Sequence, residues 1–421
     1  MGAVLRLAAK EIRKKKFHSL LLFLVCLLAM YMTVTSVTNA TSAAWQQKMF
    51  ESSLGFNMET VLHLDYHDTK ETDTFAAVLA GYREYIAGLP GVEAVGQFDA
   101  TGMFFSELRS LEPYLEINSK IVSGGRYAGC PGITQLLNVD AALLPLVKGG
   151  VSGFAEPTGG HIPIYASDVF RDILPPGALL TSERTGEVFE VAGYFAKGSA
   201  WVDENDLIRF PMEPLDGWFI APFPAGDKND ILTQLSCLHN TYALLGEDAD
   251  VASLKRAIHE YSVQHDFEAT ANTLAEEYAA YCAETAPFIR TQIGLAVLIL
   301  AMAASCIIAV FTTNTLLKRG QYGILIANGF TLTDIAVCII AEISMILFFA
   351  MLLAWGAKLA ELLTGGDLFR DVLLTAHLQF TLPACFGIGV LLVIFSAAIP
   401  TACIFRYRPC ELMGGNTNGD H

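Results

Sequence analysis

The sequence predicts an α-helical membrane protein with four transmembrane helices and a large extracytoplasmic α+β domain. Three observations carry this. Four stretches are apolar over about the 20 residues a bilayer-spanning helix needs: 17–37, 293–317, 335–359 and 380–405. Between the first and second lie 247 residues of ordinary polar composition, 40–286. Clusters of Lys and Arg flank the spans on one predicted side. The composition agrees: 53% of residues are hydrophobic and 17% charged, with mean hydropathy +0.42, against about 25% charged in average soluble chains. These values exclude a disordered chain, a small disulfide-stapled domain and a basic nucleic-acid binder.

The first segment, 1–16, reads as a cytoplasmic amphipathic helix. Val4, Ala8 and Ile12 share a face, and Arg6, Lys10, Arg13 and Lys14 point elsewhere. Such a helix suits the interface of an anionic bilayer or a docking partner. Transmembrane helix 1 follows at 17–38. Its long basic approach and long apolar run favour an uncleaved anchor over a signal peptide.

The extracytoplasmic domain is expected over 39–286. Residues 58–66 alternate as a strand, 74–87 carry helical spacing, and 92–98 read as a strand again. A related unit returns as strands at 217–222 and 242–245 and a helix at 251–263. Residues 99–216, rich in Gly and Pro, read as a mostly β insertion, clearest at 161–165 and 187–195. The Ala- and Glu-rich stretch 269–286 has good helix composition and is expected to be a stalk helix running into transmembrane helix 2, 287–317, with Pro287 the only interruption. Segment 318–334 is apolar in its middle but too short to span. It reads as a short amphipathic helix closed by Asn328-Gly329, after which Thr331 or Thr333 caps transmembrane helix 3, 335–360. A short external loop (361–378), transmembrane helix 4 (379–405) and a cytoplasmic tail (406–421) complete the chain.

Charge placement orients these elements. Basic residues precede the first span, Lys318 and Arg319 separate the second from the third, and Arg406 and Arg408 follow the fourth. Since Lys and Arg accumulate on the cytoplasmic side, both termini are expected inside and the large domain outside. That domain is acidic: residues 40–286 hold 14 Lys+Arg against 35 Asp+Glu, a net of −21, whereas the remainder holds 13 against 8. The acidity serves solubility, or attracts cationic ligands.

Chemistry-bearing motifs are few. No GxxxxGK[ST], GxSxG or CxxC pattern occurs, so neither a P-loop, a nucleophile elbow nor a structural zinc site is expected, and the chain does not read as an enzyme. Six of the nine cysteines lie in or beside spans, while Cys130, Cys237 and Cys282 are external, enough for one disulfide. His63, Asp65 and His67 share one face of a strand. They fit either three metal ligands or the wet side of a half-buried strand, and the second reading is preferred. His259 and His265 are too far apart for a zinc-protease helix. Glu342 is the only acidic residue within the expected spans and therefore a functional candidate by default. The alternative is a protonated or paired carboxylate that serves helix packing.

The segment KRGQYGILIANGFTLTDI, followed by Glu342, resembles the cytoplasmic segment of MacB/FtsX-like ABC transporter permeases. The residues that match are the basic pair Lys318-Arg319, the helix Gln321-Tyr322-Gly323-Ile324-Leu325, the turn Ala327-Asn328-Gly329, and a span bearing Glu342. The basic start, the end of the last span with Pro409 and Leu412 after it, and the EVFEVAGYFAKGS segment (187–199) look similar, as does the one-plus-three order of spans around a large outer domain. Gln321 stands where the family usually has an acid, and Ile326 where it usually has a Lys. The resemblance implies a permease subunit in a bacterial plasma membrane, with no cofactor of its own. It would work as a homodimer or heterodimer with ABC ATP-binding subunits that bind ATP and Mg²⁺. Residues 318–334 would seat on the ATPase, and its closure would rock the spans and move the outer domain by mechanotransmission. Export, extraction or resistance involving a peptide, lipid or lipoprotein is the leading expectation, with an external peptide, lipid or protein as ligand and no nucleic acid. A regulatory FtsX-like protein controlling a cell-wall hydrolase or antimicrobial sensing, and a membrane-anchored receptor with no ATPase, are the alternatives.

Overall fold

A computed structural model describes residues 16–67, 75–122, 127, 129–157, 159–202, 212–223, 240–364 and 370–407. The amphipathic segment 1–15, Cys237, Asp367 and the tail from 408 lie outside the described residues. The chain divides into two units: Met1–Gln46 with Thr285–His421, and Gln47–Glu284. The first boundary falls within helix α1, Lys16–Ser53.

The second unit is built on one nine-stranded sheet. In chain order its strands are β1 (Val61–Tyr66), β2 (Val92–Met103), β3 (Thr134–Val139), β4 (Ile162–Ser167), β5 (Leu179–Thr181), β6 (Val188–Phe195), β9 (Trp218–Pro222), β10 (Thr241–Leu245) and β11 (Ala269–Thr273). Strands β7 (Ala200–Val202) and β8 (Met212–Pro214) form a separate pair. The spatial order of the large sheet is β11-β1-β10-β2-β3-β9-β4-β6-β5. All neighbours are antiparallel except β3 with β9 and β4 with β6. Helices α2 (Phe75–Ala87), α3 (Glu112–Val122) and α4 (Val251–Gln264) complete the unit.

The expected strands and helices of 58–98, 161–165, 187–195 and 217–263 are present among the described residues, and the strands of 99–216 apart from β7 and β8 belong to the same sheet. The twelve residues of β2 pair with β10 through the first half and with β3 through the second, so the strands of this stretch extend one sheet. Strand β3 is buried at every position. Successive side chains of a strand face opposite ways, so Leu137 and Val139 join Phe98, Trp218 and Tyr242 in one core while Leu136 joins Phe105, Tyr114 and Phe219 in another. A third core forms where Leu62, Leu64 and Tyr66 of β1 meet Leu79, Tyr82 and Ile86 of α2 and Leu254 and Ile258 of α4.

The stalk helix expected from Ala269 begins instead at Leu274. Residues 269–273 pair antiparallel with β1, so edge pairing overrides helix composition for one turn and a half. From there α5 runs from Leu274 to Leu317, straight through Pro287. Its 44 residues give a length of about 66 Å at 1.5 Å per residue, well beyond the ~30 Å a hydrocarbon core requires. The second unit boundary falls within it.

The remaining helices are α6 (Arg319–Ala327), α7 (Leu332–Thr364), α8 (Arg370–Ala376), a π turn (His377–Thr381) and α9 (Leu382–Phe405). Among the described residues, four helices are long and apolar enough to cross a membrane: α1, α5, α7 and the run Leu373–Phe405. The fold class is therefore four such helices plus a large mixed α+β domain. On α1, Leu22, Cys26, Met30 and Val34 recur at every fourth position. They pack with Ile307 and Phe311 of α5 and with Ile335, Ile339 and Ile343 of α7. Leu20, Leu21, Leu24 and Leu28 are exposed, as expected of an apolar helix with one side in lipid. The described residues of the loop expected at 361–378 are helical: α7 continues to Thr364, and α8 and the π turn follow from Arg370.

Candidate functional site

The segment 318–334 folds as two helix ends joined by a tight turn. Lys318 is the N-cap of α6, and its backbone N–H still bonds Asn314 O at the end of α5. At the other end Gly329 takes φ +91°, which suits a residue without a Cβ. Gly329 N–H donates to Ile326 O at 2.9 Å and Phe330 N–H to Leu325 O at 3.1 Å, the paired bonds of a Schellman ending. Of the two threonines the sequence offered as cap for α7, Thr331 takes the role. Asp334 N–H donates to Thr331 Oγ1, and Thr331 N–H and hydroxyl both donate to Asp334 Oδ2, at 2.9 and 2.6 Å. These mutual bonds fix the angle at which the short helix meets the span.

Each candidate residue of α6 has a definite place. Gly323 is buried. Tyr322 packs against the apolar core of the spans. Leu325 and Gln321 line a small cavity of about 30 Å³ with Lys318, Tyr322, Asp334 and Glu342, room for about one water. The Arg319 guanidinium lies 5.1 Å from the Tyr407 ring centroid, within cation–π range. Ala327 is the last helical residue. Ile324 is 65% exposed, an aliphatic side chain presented outward.

The structure joins two candidates that the sequence held apart. Lys318 Nζ lies 4.0 Å from Glu342 Oε1, with side chains 10% and 13% exposed. Cys338 Sγ is 4.0 Å from the same oxygen. Glu342 is thus a paired carboxylate about three turns into α7. In a low-dielectric site an ion pair of this kind is costly to break.

Other singled-out residues lie elsewhere. His63 Nδ1 is 2.8 Å from Glu277 Oε1, and Asp65 pairs with His67 at 3.1 Å. The three alternating residues therefore turn to different partners, and no metal-holding group of His, Cys, Asp or Glu occurs among the described residues. Cys130 and Cys282 are not joined to each other.

Sequence reasoning missed a second polar set in the spans. Lys358 is 7% exposed and donates to Glu361 Oε1 at 2.7 Å; Tyr31 of α1 donates to Glu361 Oε2 at 2.7 Å. His377 is fully buried. Glu342 is consequently not the only acidic residue of the apolar helices. The signal was present in the i, i+3 spacing of Lys358 and Glu361, which continues the helix past the most apolar stretch.

No protein-family model matches the chain, and no curated protein matches it. Solved structures do. One is the extracellular domain of the noncanonic ABC-type transporter YknZ from Gram-positive bacteria. It is 14% identical with a TM-score of 0.29, over 50% of this chain and 98% of that one. Another is the periplasmic region of MacB from Actinobacillus actinomycetemcomitans, 7% identical with a TM-score of 0.33, over 55% of this chain and 97% of that one. A heavy metal efflux pump matches at 10% identity and a TM-score of 0.16, over 85% of this chain and 36% of that one. The chain is a multi-pass membrane protein with a large mixed α+β domain, and it is similar, at low sequence identity, to these solved structures.

Proposed function

We propose that the chain is the permease subunit of an ABC transporter, with α6 as the helix that seats on a separate ATP-binding subunit. In this reading the chain has no ATPase chemistry of its own, its termini are cytoplasmic, and the second unit is extracytoplasmic. The observation that supports it is the construction of α6. It is a nine-residue helix between two spans, held at its start by the Lys318–Glu342 pair and at its end by the Gly329 turn, with Ile324 exposed. A helix anchored at both ends transmits a push into α5 and α7 instead of bending away from it. The unit boundaries fall within α1 and α5, so those helices are the elements through which movement passes to the extracytoplasmic domain, for export, extraction or resistance involving a peptide, lipid or lipoprotein.

The test is copurification from native membranes in detergent, read as vanadate-sensitive ATP hydrolysis carried by the tagged chain. Ile324→Asp is the clean variant, because Tyr322 and Leu325 also pack against α7. It should lower the copurified hydrolysis about tenfold or more while leaving the melting temperature of the chain unchanged. Undiminished hydrolysis would remove α6 from the coupling role. Absence of any copurified hydrolysis with the wild-type chain would favour a receptor without an ATPase.

A further inference from the structure

The polar set at His377 has a feature that its neutral, fully bonded state conceals. His377 Nε2 is 3.2 Å from the Trp355 carbonyl oxygen. A carbonyl only accepts, so Nε2 carries the ring hydrogen and Nδ1 of the neutral ring is an acceptor. Thr38 Oγ1, from α1, lies 3.0 Å from Nδ1 and fills that role as donor. Thr381 Oγ1 lies 3.1 Å from Thr38 Oγ1 and 3.3 Å from Ala376 O. The π turn His377–Thr381 brings both of its end residues onto the one Thr38 hydroxyl. The Trp355 ring stacks on the imidazole at 5.0 Å and 14°. Three apolar helices thus meet at one imidazole.

The charged groups facing it come from two of those helices. From α7 comes Lys358, whose charge acts on the ring and whose amine is held by Glu361. From α1 the titratable group is Tyr31. Glu361 already receives Lys358 Nζ and Tyr31 OH, each at 2.7 Å. Among the described residues α5 brings no charged side chain into these bonds.

We propose that His377, held between Thr38 of α1 and Trp355 of α7, is a proton-operated latch of the membrane unit: closed while the ring is neutral and released by acid. The bookkeeping of protons is complete. One proton from water joins the Nδ1 lone pair, the Thr38 hydroxyl turns from donor to acceptor and donates to Thr381, and Thr381 donates to Ala376 O. No hydrogen bond is lost in that reversal, so the ring binds a proton without orphaning a neighbour. What changes is charge. A second cation then stands beside Lys358 with the Glu361 carboxylate already taken, in surroundings where an uncompensated charge is costly. Stability that depends on the neutral ring is present above the ordinary imidazole pKa of about 6.5 and is lost as pH falls below it.

The experiment uses the full chain in phosphatidylcholine nanodiscs between about pH 5 and pH 8, the range in which imidazoles titrate. Two quantities are read: the melting temperature, and the emission of Trp355, taken as the difference from a Trp355→Phe chain. An imidazolium stacked on indole quenches it. The wild-type chain should lose Trp355 emission and melt about 2–4 °C lower at the acid end. His377→Gln, which keeps a donor for Trp355 O and an acceptor for Thr38 but takes no proton, should show neither change. Thr38→Val should melt lower at every pH yet still quench in acid. Identical pH profiles for wild type and His377→Gln would overturn the proposal. Should His377→Gln not insert, constant Trp355 emission from pH 5 to pH 8 in both wild type and Thr38→Val would overturn it equally.

Discussion

Lys318 and Glu342, on the turn after α5 and about three turns into α7, form a pair at 4.0 Å with both side chains nearly out of contact with solvent. The pair ties the root of α6 to the span that follows. Each charge is tolerable there only because the other is present.

Removing one partner should therefore cost more than removing both. Lys318→Met, which leaves the carboxylate alone, should lower the stability of the detergent-solubilised chain by about 3–5 kcal/mol. Glu342→Gln should still insert and fold, with a smaller loss. The double variant should recover most of the Lys318→Met loss. Thermal unfolding of the three chains checks this, and additive losses would show that the two side chains do not interact.

Gly217 offers a test of backbone geometry in the other unit. It takes φ +86°, and a Cβ there would sit 2.5 Å from Ile121 Cδ1. The left-handed conformation alone costs a non-glycine residue about 1–2 kcal/mol, and Ile121 must also move. Gly217→Ala should destabilise the chain by at least about 2 kcal/mol, read by denaturant unfolding. The same change at Gly153, where nothing lies within 4 Å, should do far less.

Glu107 should make part of the stability depend on acid. Burial pushes its carboxyl pKa up, but the backbone N–H and hydroxyl of Thr181, each at 2.7 Å, outweigh that and hold it below the ordinary value. A lowered carboxylate stabilises the fold above its unfolded pKa, about 4.3, and the contribution is lost as pH falls through the folded value. Glu107→Gln should lower the melting temperature at pH 7 and flatten the acid limb below about pH 4.3. Equal slopes for the two chains would contradict this.

Tyr114 and Thr134 test a buried hydrogen bond. Their hydroxyls are 2.8 Å apart in the core under α3, and burial pushes the Tyr114 phenol well up. Thr134→Val should cost about 1–3 kcal/mol by orphaning the Tyr114 hydroxyl, while adding Tyr114→Phe should restore much of it. The double-variant cycle by urea denaturation gives the answer.

Local features of the candidate site were legible in the sequence wherever neighbouring residues decide the outcome. Asn328-Gly329 marked the end of α6, and Thr331 was one of two foreseen caps for α7. The start of α5 was misplaced because residues 269–273 have helix-compatible composition, yet their backbone groups pair with β1. That most strands of 99–216 extend the same sheet was not foreseen, for a related reason. A twelve-residue β2 serves two partners, and pairing partners cannot be read from alternation alone.

The sequence by itself determined the four spanning helices, since the length of an apolar run is a one-dimensional property that the bilayer measures directly. It also determined the presence of a mixed α+β domain, through periods of two and 3.6. Tertiary structure alone decided that Lys318 meets Glu342, that His377 meets Thr38 from the far end of the chain, and that β3 lies parallel to β9. These contacts depend on which helix faces and which strand edges come together. That is settled by packing among residues distant in sequence, and no local pattern encodes it.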